Sequence, residues 1–223
     1  MIWTISTPIV QTAVEPQTVS VNISRGNNQL LILLLATRDG RDNFYNTATF
    51  NGSPMTTWGH QVRNDGASDI ATIHGLYFNC AGLAAGNYNL FKECTTGGPD
   101  SAIESWFVIT GNESKNPIQN MVGDTSLGKS GTVITNTINV DKNNMLILSA
   151  CGSEPDSTPS VGAGQTSLVS SYSGGTFLGC SYKQNQALGS NQMYWTQTND
   201  RWAQITMTIR AAMSGGGFLL NFV

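Results

Sequence analysis

The groups in this chain that could do acid–base, nucleophilic or metal chemistry are few: two histidines, four cysteines and fourteen carboxylates. Their spacing gives them little to work with. His60 and His74 stand at no metal-ligating interval from each other, from a cysteine or from a carboxylate, and His74 falls in an alternating pattern that makes it a structural residue. Cys80, Cys94, Cys151 and Cys180 contain no CxxC. The expectation is buried free thiols, with a Cys80–Cys94 bridge across a hairpin as the alternative. No serine sits in a nucleophile-elbow context. A sandwich glycosidase needs two carboxylates projecting into one cleft, and the nearest pair, Asp100 and Glu104 in "DSAIESW", is split by the turn before the strand. "RDGRDN" (38–43) and "RNDGASD" (63–69) each hold two Asp near a Gly, but neither has the spacing of an EF-hand loop and both contain Arg. They read as solvated turns. The chain is therefore expected to be no enzyme, with no catalytic residue, no metal and no cofactor.

Aromatic rings offer a different chemistry, because sugar faces stack on exposed rings beside amides. Phe44 and Tyr45 in "DNFYN" form the most plausible exposed pair for a glycan. Trp58, Tyr172 and Trp195 are further candidates, although Trp58, Trp106, Trp195 and Trp202 all fall in strands, where core packing is the default. Asn22, Asn51 and Asn112 each head an N-x-[ST] triplet, a pattern common by chance in a chain so rich in these residues.

The third candidate feature is apolar. "MSGGGFLLNFV" (213–223) places three glycines before a run that is almost wholly large and hydrophobic. Phe218, Leu219, Leu220, Phe222 and Val223, together with Ile2 and Trp3 of "MIWTISTPIV", are expected to form an assembly interface. The segment would add as a strand to the sheet edge of a neighbouring subunit, or alternatively close its own sandwich as a last strand.

The elements that must position these residues are strands. Charged residues are only 11% of the chain and Gly numbers 24, so strong helix formers are scarce and turn formers abundant. Short β-branched and aromatic runs alternate with Gly/Asn/Asp/Ser clusters, the rhythm of an all-β sandwich. "NGSP" (51–54) marks a hairpin. The net charge of −3 and pI near 5.2 leave no basic cluster for nucleic acid. No run approaches the ~18 apolar residues of a membrane span, and the first residues do not read as a signal peptide.

The sequence also repeats itself. "VNISRGNNQLLILLLA" (21–36) resembles "INVDKNNMLILSA" (138–150). "FNGSPMTTW" (50–58) answers to "VGAGQTSLV" (161–169), "GLYFNCAGLAAGNYNL" (75–90) to "CSYKQNQALGSNQMYW" (180–195), and "SWFVIT" (105–110) to "WAQITMTI" (202–209). Four matches in one order imply two similar strand sets. Each set alone would leave an apolar face bare, so the two close one core between two antiparallel sheets. The expected organisation is an N-terminal arm or edge strand over 1–16, a β-sandwich over 17–212 with halves at about 17–110 and 131–210, and the Gly-hinged arm at 213–223. The stretch 111–131 is expected to cross over the surface.

The order of these pieces resembles the concanavalin-like jelly-roll modules of phage structural proteins and bacterial surface proteins. The resemblance is carried by Asn28–Leu35, Phe50–Thr56, Leu76–Leu90, Asn143–Leu148 and Trp202–Ile209 and covers about residues 17–212. It implies a jelly roll and a non-enzymatic role: a virion component such as a capsid decoration, head-fibre or tail subunit, made in the host cytoplasm and assembling with itself and other virion proteins. The alternative it implies is a carbohydrate-binding or adhesion module at a cell surface.

Overall fold

The computed structural model describes residues 3–12, 16–24, 28–38, 45–63, 71–94, 102–125, 131–154 and 158–212. The first half holds β1 (Thr4–Ile5), β2 (Ile9–Thr12), β3 (Gln17–Ile23), β4 (Gln29–Arg38), β5 (Tyr45–Phe50), β6 (Ser53–Pro54), β7 (Thr56–Arg63), β8 (Ala71–Asn79), β9 (Gly86–Cys94) and β10 (Ala102–Thr110). The second holds β11 (Ile118–Thr125), β12 (Gly131–Val140), β13 (Met145–Ser153), β14 (Ser160–Val161), β15 (Thr166–Ser173), β16 (Thr176–Gln186), β17 (Gly189–Asp200) and β18 (Trp202–Ile209). All pairings are antiparallel, and the architecture is an all-β sandwich.

Strand β4 shows why the layers stack as they do. Its run of apolar residues is buried on both faces, as a strand covered on both sides must be. Leu30, Ile32, Leu34 and Ala36 face a central core shared with β13, β16 and β18, while Leu31, Leu33 and Leu35 face a separate core against β5 and β9. Each such leucine contributes about 1.5–3 kcal/mol when fully buried. β13 repeats the arrangement. Leu146, Leu148 and Ala150 face the central core, and Ile147 and Cys151 face outward onto β12 and β17.

Among the described residues four sheets form instead of the expected two. The inner sheets run β1/β2-β10-β4-β8-β7 and β11-β18-β13-β16-β15 and pack face to face. The outer sheets, β3-β9-β5-β6 and β12-β17-β14, each cover the far face of one inner sheet. The two halves have the same strand order. Even an irregularity recurs: the β7–β8 register skips at Trp58, and the β15–β16 register skips at the equivalent Leu168. The "NGSP" hairpin is a two-residue turn with both Asn51 (φ 51°) and Gly52 (φ 75°) left-handed, which suits strand twist.

Two expectations change. The stretch 111–131 is not a crossover, because it contains β11, which pairs along β18 as the edge of the second inner sheet. Its polar sequence "IQNMVGDT" hides a strand that, among the described residues, has one neighbour. At the other end, β1 and β2 pair with β10 on either side of Pro8, which an edge strand tolerates because it needs no hydrogen bond outward.

The halves meet reciprocally. β7 and β8 lie over β18 while β15 and β16 lie over β10, the mutual pattern of a two-fold interface. A side chain at Gly152 of β13 would meet the Thr72 carbonyl oxygen and the Ala36 methyl, so the two inner sheets touch there almost backbone to backbone. Beside it, Arg38 Nε donates to Glu154 Oε1 at 2.6 Å. The ladders make Arg38 and Glu154 equivalent positions of β4 and of the chain just past β13.

Candidate functional site

The densest polar chemistry lies inside the first half, between its outer and inner sheets. Antiparallel strands β3 and β9 bring Gln17 opposite Lys92. β10 sends Glu104 down from the facing sheet, in the same phase as the core residues Ala102 and Trp106. The Lys92 and Glu104 side chains are both 0% exposed and form an ion pair through Nζ and Oε1. Lys92 Nζ also donates to Gln17 Oε1 at 2.6 Å and stands 5.2 Å from the centre of the Trp106 ring. Gln11 Nε2, from edge strand β2, donates to Gln17 Oε1 at 2.7 Å and to Glu104 Oε1 at 2.6 Å. Tyr45 donates its hydroxyl proton to Glu104 Oε2 at 2.9 Å.

This cluster continues to the histidines. Tyr45 N–H donates to His74 Nδ1 at 3.1 Å, and the His74 and His60 rings lie 5.0 Å apart. Burial, and then the neighbouring His60, lower the pKa of His74 to about 3. It is a neutral acceptor at physiological pH.

The second half provides a comparison within the same chain. Counted from Ile23↔Gly86 and Val140↔Gly189, the pair Gln17↔Lys92 falls where Ile134↔Trp195 stands. Glu104 corresponds to Gln204. There the polar groups are neutral: Gln204 Nε2 donates to Ser149 Oγ at 2.7 Å, and Ser149 and Thr206 share a 3.0 Å hydrogen bond. The same architecture therefore stands without charge at this place.

Of the residues expected to carry function, Ile2, Phe44, Phe218, Leu219, Leu220, Phe222 and Val223 lie outside the described residues, as do both Asp-rich turns apart from their first residues. Trp3 is buried in the central core and is not a docking surface. Tyr45 is 5% exposed, its hydroxyl on Glu104, so its ring offers no face to a sugar. Both departures have one cause: each residue falls in the inward phase of a strand end. Trp58, Trp106, Trp195 and Trp202 are buried, whereas Tyr172 is exposed. Cys80, Cys151 and Cys180 are buried free thiols, so Cys80 forms no bridge to Cys94. The sequence pattern does not single out Lys92, Gln11 or Gln17, and it offers Glu104 only beside Asp100. The available signal was phase: Lys92 follows Tyr88 and Leu90 on the inward side of "YNLFK".

Among the described residues, no group of His, Cys, Asp and Glu could hold a metal ion, and no helix is long and apolar enough to cross a membrane. A cleft of about 350 Å3 lies between the halves, lined by Thr56, Tyr77, Phe78, Asn79 and Asn116 among others. Set against family models, curated proteins and solved structures, the chain matches none.

Proposed function

We propose that this chain is a non-enzymatic structural subunit of a virion, a capsid decoration, head-fibre or tail component, similar over about residues 17–212 to the concanavalin-like jelly-roll modules, with segment 213–223 docking on a neighbouring copy. The observation that supports this reading most is at the sheet edges. Each inner sheet has one edge at β2 or β11, equivalent strands with no further strand beside them among the described residues, and both carry exposed apolar side chains: Ile9 at 50% and Met121 at 50%. An edge of that kind accepts an added strand, and FLLNFV has the composition of one. Partners are then the chain itself and other virion proteins. The test is native mass spectrometry and electron microscopy of the full chain beside a variant lacking 213–223. The expected result is an oligomer that the deletion dissociates. Equal assembly by both, or a full chain monomeric at every concentration, refutes the docking segment.

The cleft supports a second reading, a carbohydrate-binding module. Tyr77 and Phe78 stand beside the amides of Asn79 and Asn116, in a volume within the range of small-ligand sites. A glycan array gives binding that Tyr77→Ala abolishes if this reading holds, and a flat array if it does not.

A further inference from the structure

We infer that Lys92 and Gln17 join covalently, in an isopeptide bond formed by the protein itself with Glu104 as the acid–base group. Two charges taken wholly out of water are costly even when paired, and the second half shows that the fold does without them, with Trp195 and Gln204 in these places. What the first half has in addition is an electrophile. The Gln17 carboxamide accepts from Lys92 Nζ at 2.6 Å. Its carbon is one C=O bond, about 1.23 Å, from that oxygen, so the amine stands within about 3.8 Å of the atom it would attack, close to a near-attack distance.

Each step has a group to perform it. The Lys92 ammonium passes a proton to Glu104, which removes two buried charges at once. The free amine attacks Gln17 Cδ, the Nζ–Cδ bond forms, and the carbonyl electron pair moves onto Oε1. That developing oxyanion already accepts a hydrogen bond from Gln11 Nε2 at 2.7 Å. Glu104 gives its proton to the departing nitrogen and, a carboxylate again, takes the second proton from Nζ, while the electron pair on Oε1 returns to re-form the carbonyl. The Cδ–Nε2 bond breaks with its electron pair, and ammonia leaves with the remaining proton as ammonium. The net change converts one ammonium and one primary amide to one secondary amide and one ammonium ion, with no oxidant or cofactor. Tyr45 holds the second oxygen of Glu104 and is a positioning residue. The bond would fasten β3, an outer edge strand, to β9.

This inference does not rest on assembly, and intact mass spectrometry of the denatured full chain tests it alone. The expected mass is that of the sequence less one ammonia. Proteolysis should yield a branched peptide joining residue 17 to residue 92, which separates this loss from ring closure at an Asn-Gly step. Lys92→Arg and Gln17→Leu should each restore the sequence mass. Glu104→Gln should leave a chain that is folded by circular dichroism and unlinked. An unmodified mass in the folded wild-type chain overturns the inference without recourse to any variant. Loss of one water with Lys92 joined to Glu104 overturns the choice of Gln17. A linked Glu104→Gln variant overturns the role of Glu104.

Discussion

His74 gives the sharpest handle on the energetics of the first half. Its Nδ1 accepts the Tyr45 N–H, so protonation there would set a donor against a donor inside a closed core. Its pKa is lowered from 6.5 to about 3, first by burial and then by His60. The folded state thus resists a proton that the unfolded chain takes up at pH 6.5. This contribution to stability is fully present above pH 6.5 and is lost as pH falls toward 3. At about 1.4 kcal/mol per unit, the whole shift is worth roughly 5 kcal/mol, of which about 2 kcal/mol is gone by pH 5. Urea unfolding followed by tryptophan fluorescence at pH 7.5 and 5.0 measures it, in the wild type and in His74→Asn. The asparagine oxygen can still accept from Tyr45 but does not titrate. Between the two pH values the wild type should lose about 2 kcal/mol more than the variant. Parallel losses would show that His74 is protonated freely in the folded protein and would refute the argument.

Two further outcomes follow from packing. Gly152→Ala places a methyl against the Thr72 carbonyl and Ala36, and should destabilise the protein by about 1–3 kcal/mol as overpacking; an unchanged melting temperature would mean that the inner sheets have room to spare. Burial pushes the Cys80 thiol up to about 11 and raises Cys151 and Cys180 as well. All three should therefore stay silent to a thiol reagent at pH 8 in the native protein and react in guanidinium, and rapid native labelling at any of them would contradict their placement.

Much of the fold was legible because strands announce themselves by period and by their turns. The repeat pointed to two equivalent halves, and the unbroken apolar run of β4 is what a strand covered on both faces requires. The number of layers was not legible. A leucine facing the partner half and a leucine facing its own outer sheet are the same letter, so one core and several look alike. β11 escaped because an edge strand buries too little to require an apolar sequence. The buried cluster escaped for a related reason. Matching the halves without a gap set Leu90 beside Trp195, whereas the ladders set Lys92 there, because the connection from β8 to β9 is longer than that from β16 to β17. A charged residue taking the place of a core tryptophan became visible only once the register was known.

The reciprocal seam between the halves carries a further consequence. Like a homodimer, it brings equivalent positions together near its axis, yet the side chains there differ in sign: Arg38 on one half and Glu154 on the other, with Arg201 also on Glu154 at 3.4 Å. Two first halves pairing with each other would set arginine against arginine, whereas the second half offers Glu154 to Arg38. Being partly exposed, the contact adds little to stability. What it does is distinguish the partners, so that when a nascent chain folds beside its neighbours, each half prefers the unlike half that follows or precedes it in the same polypeptide, and the interface that could have joined two molecules is closed within one.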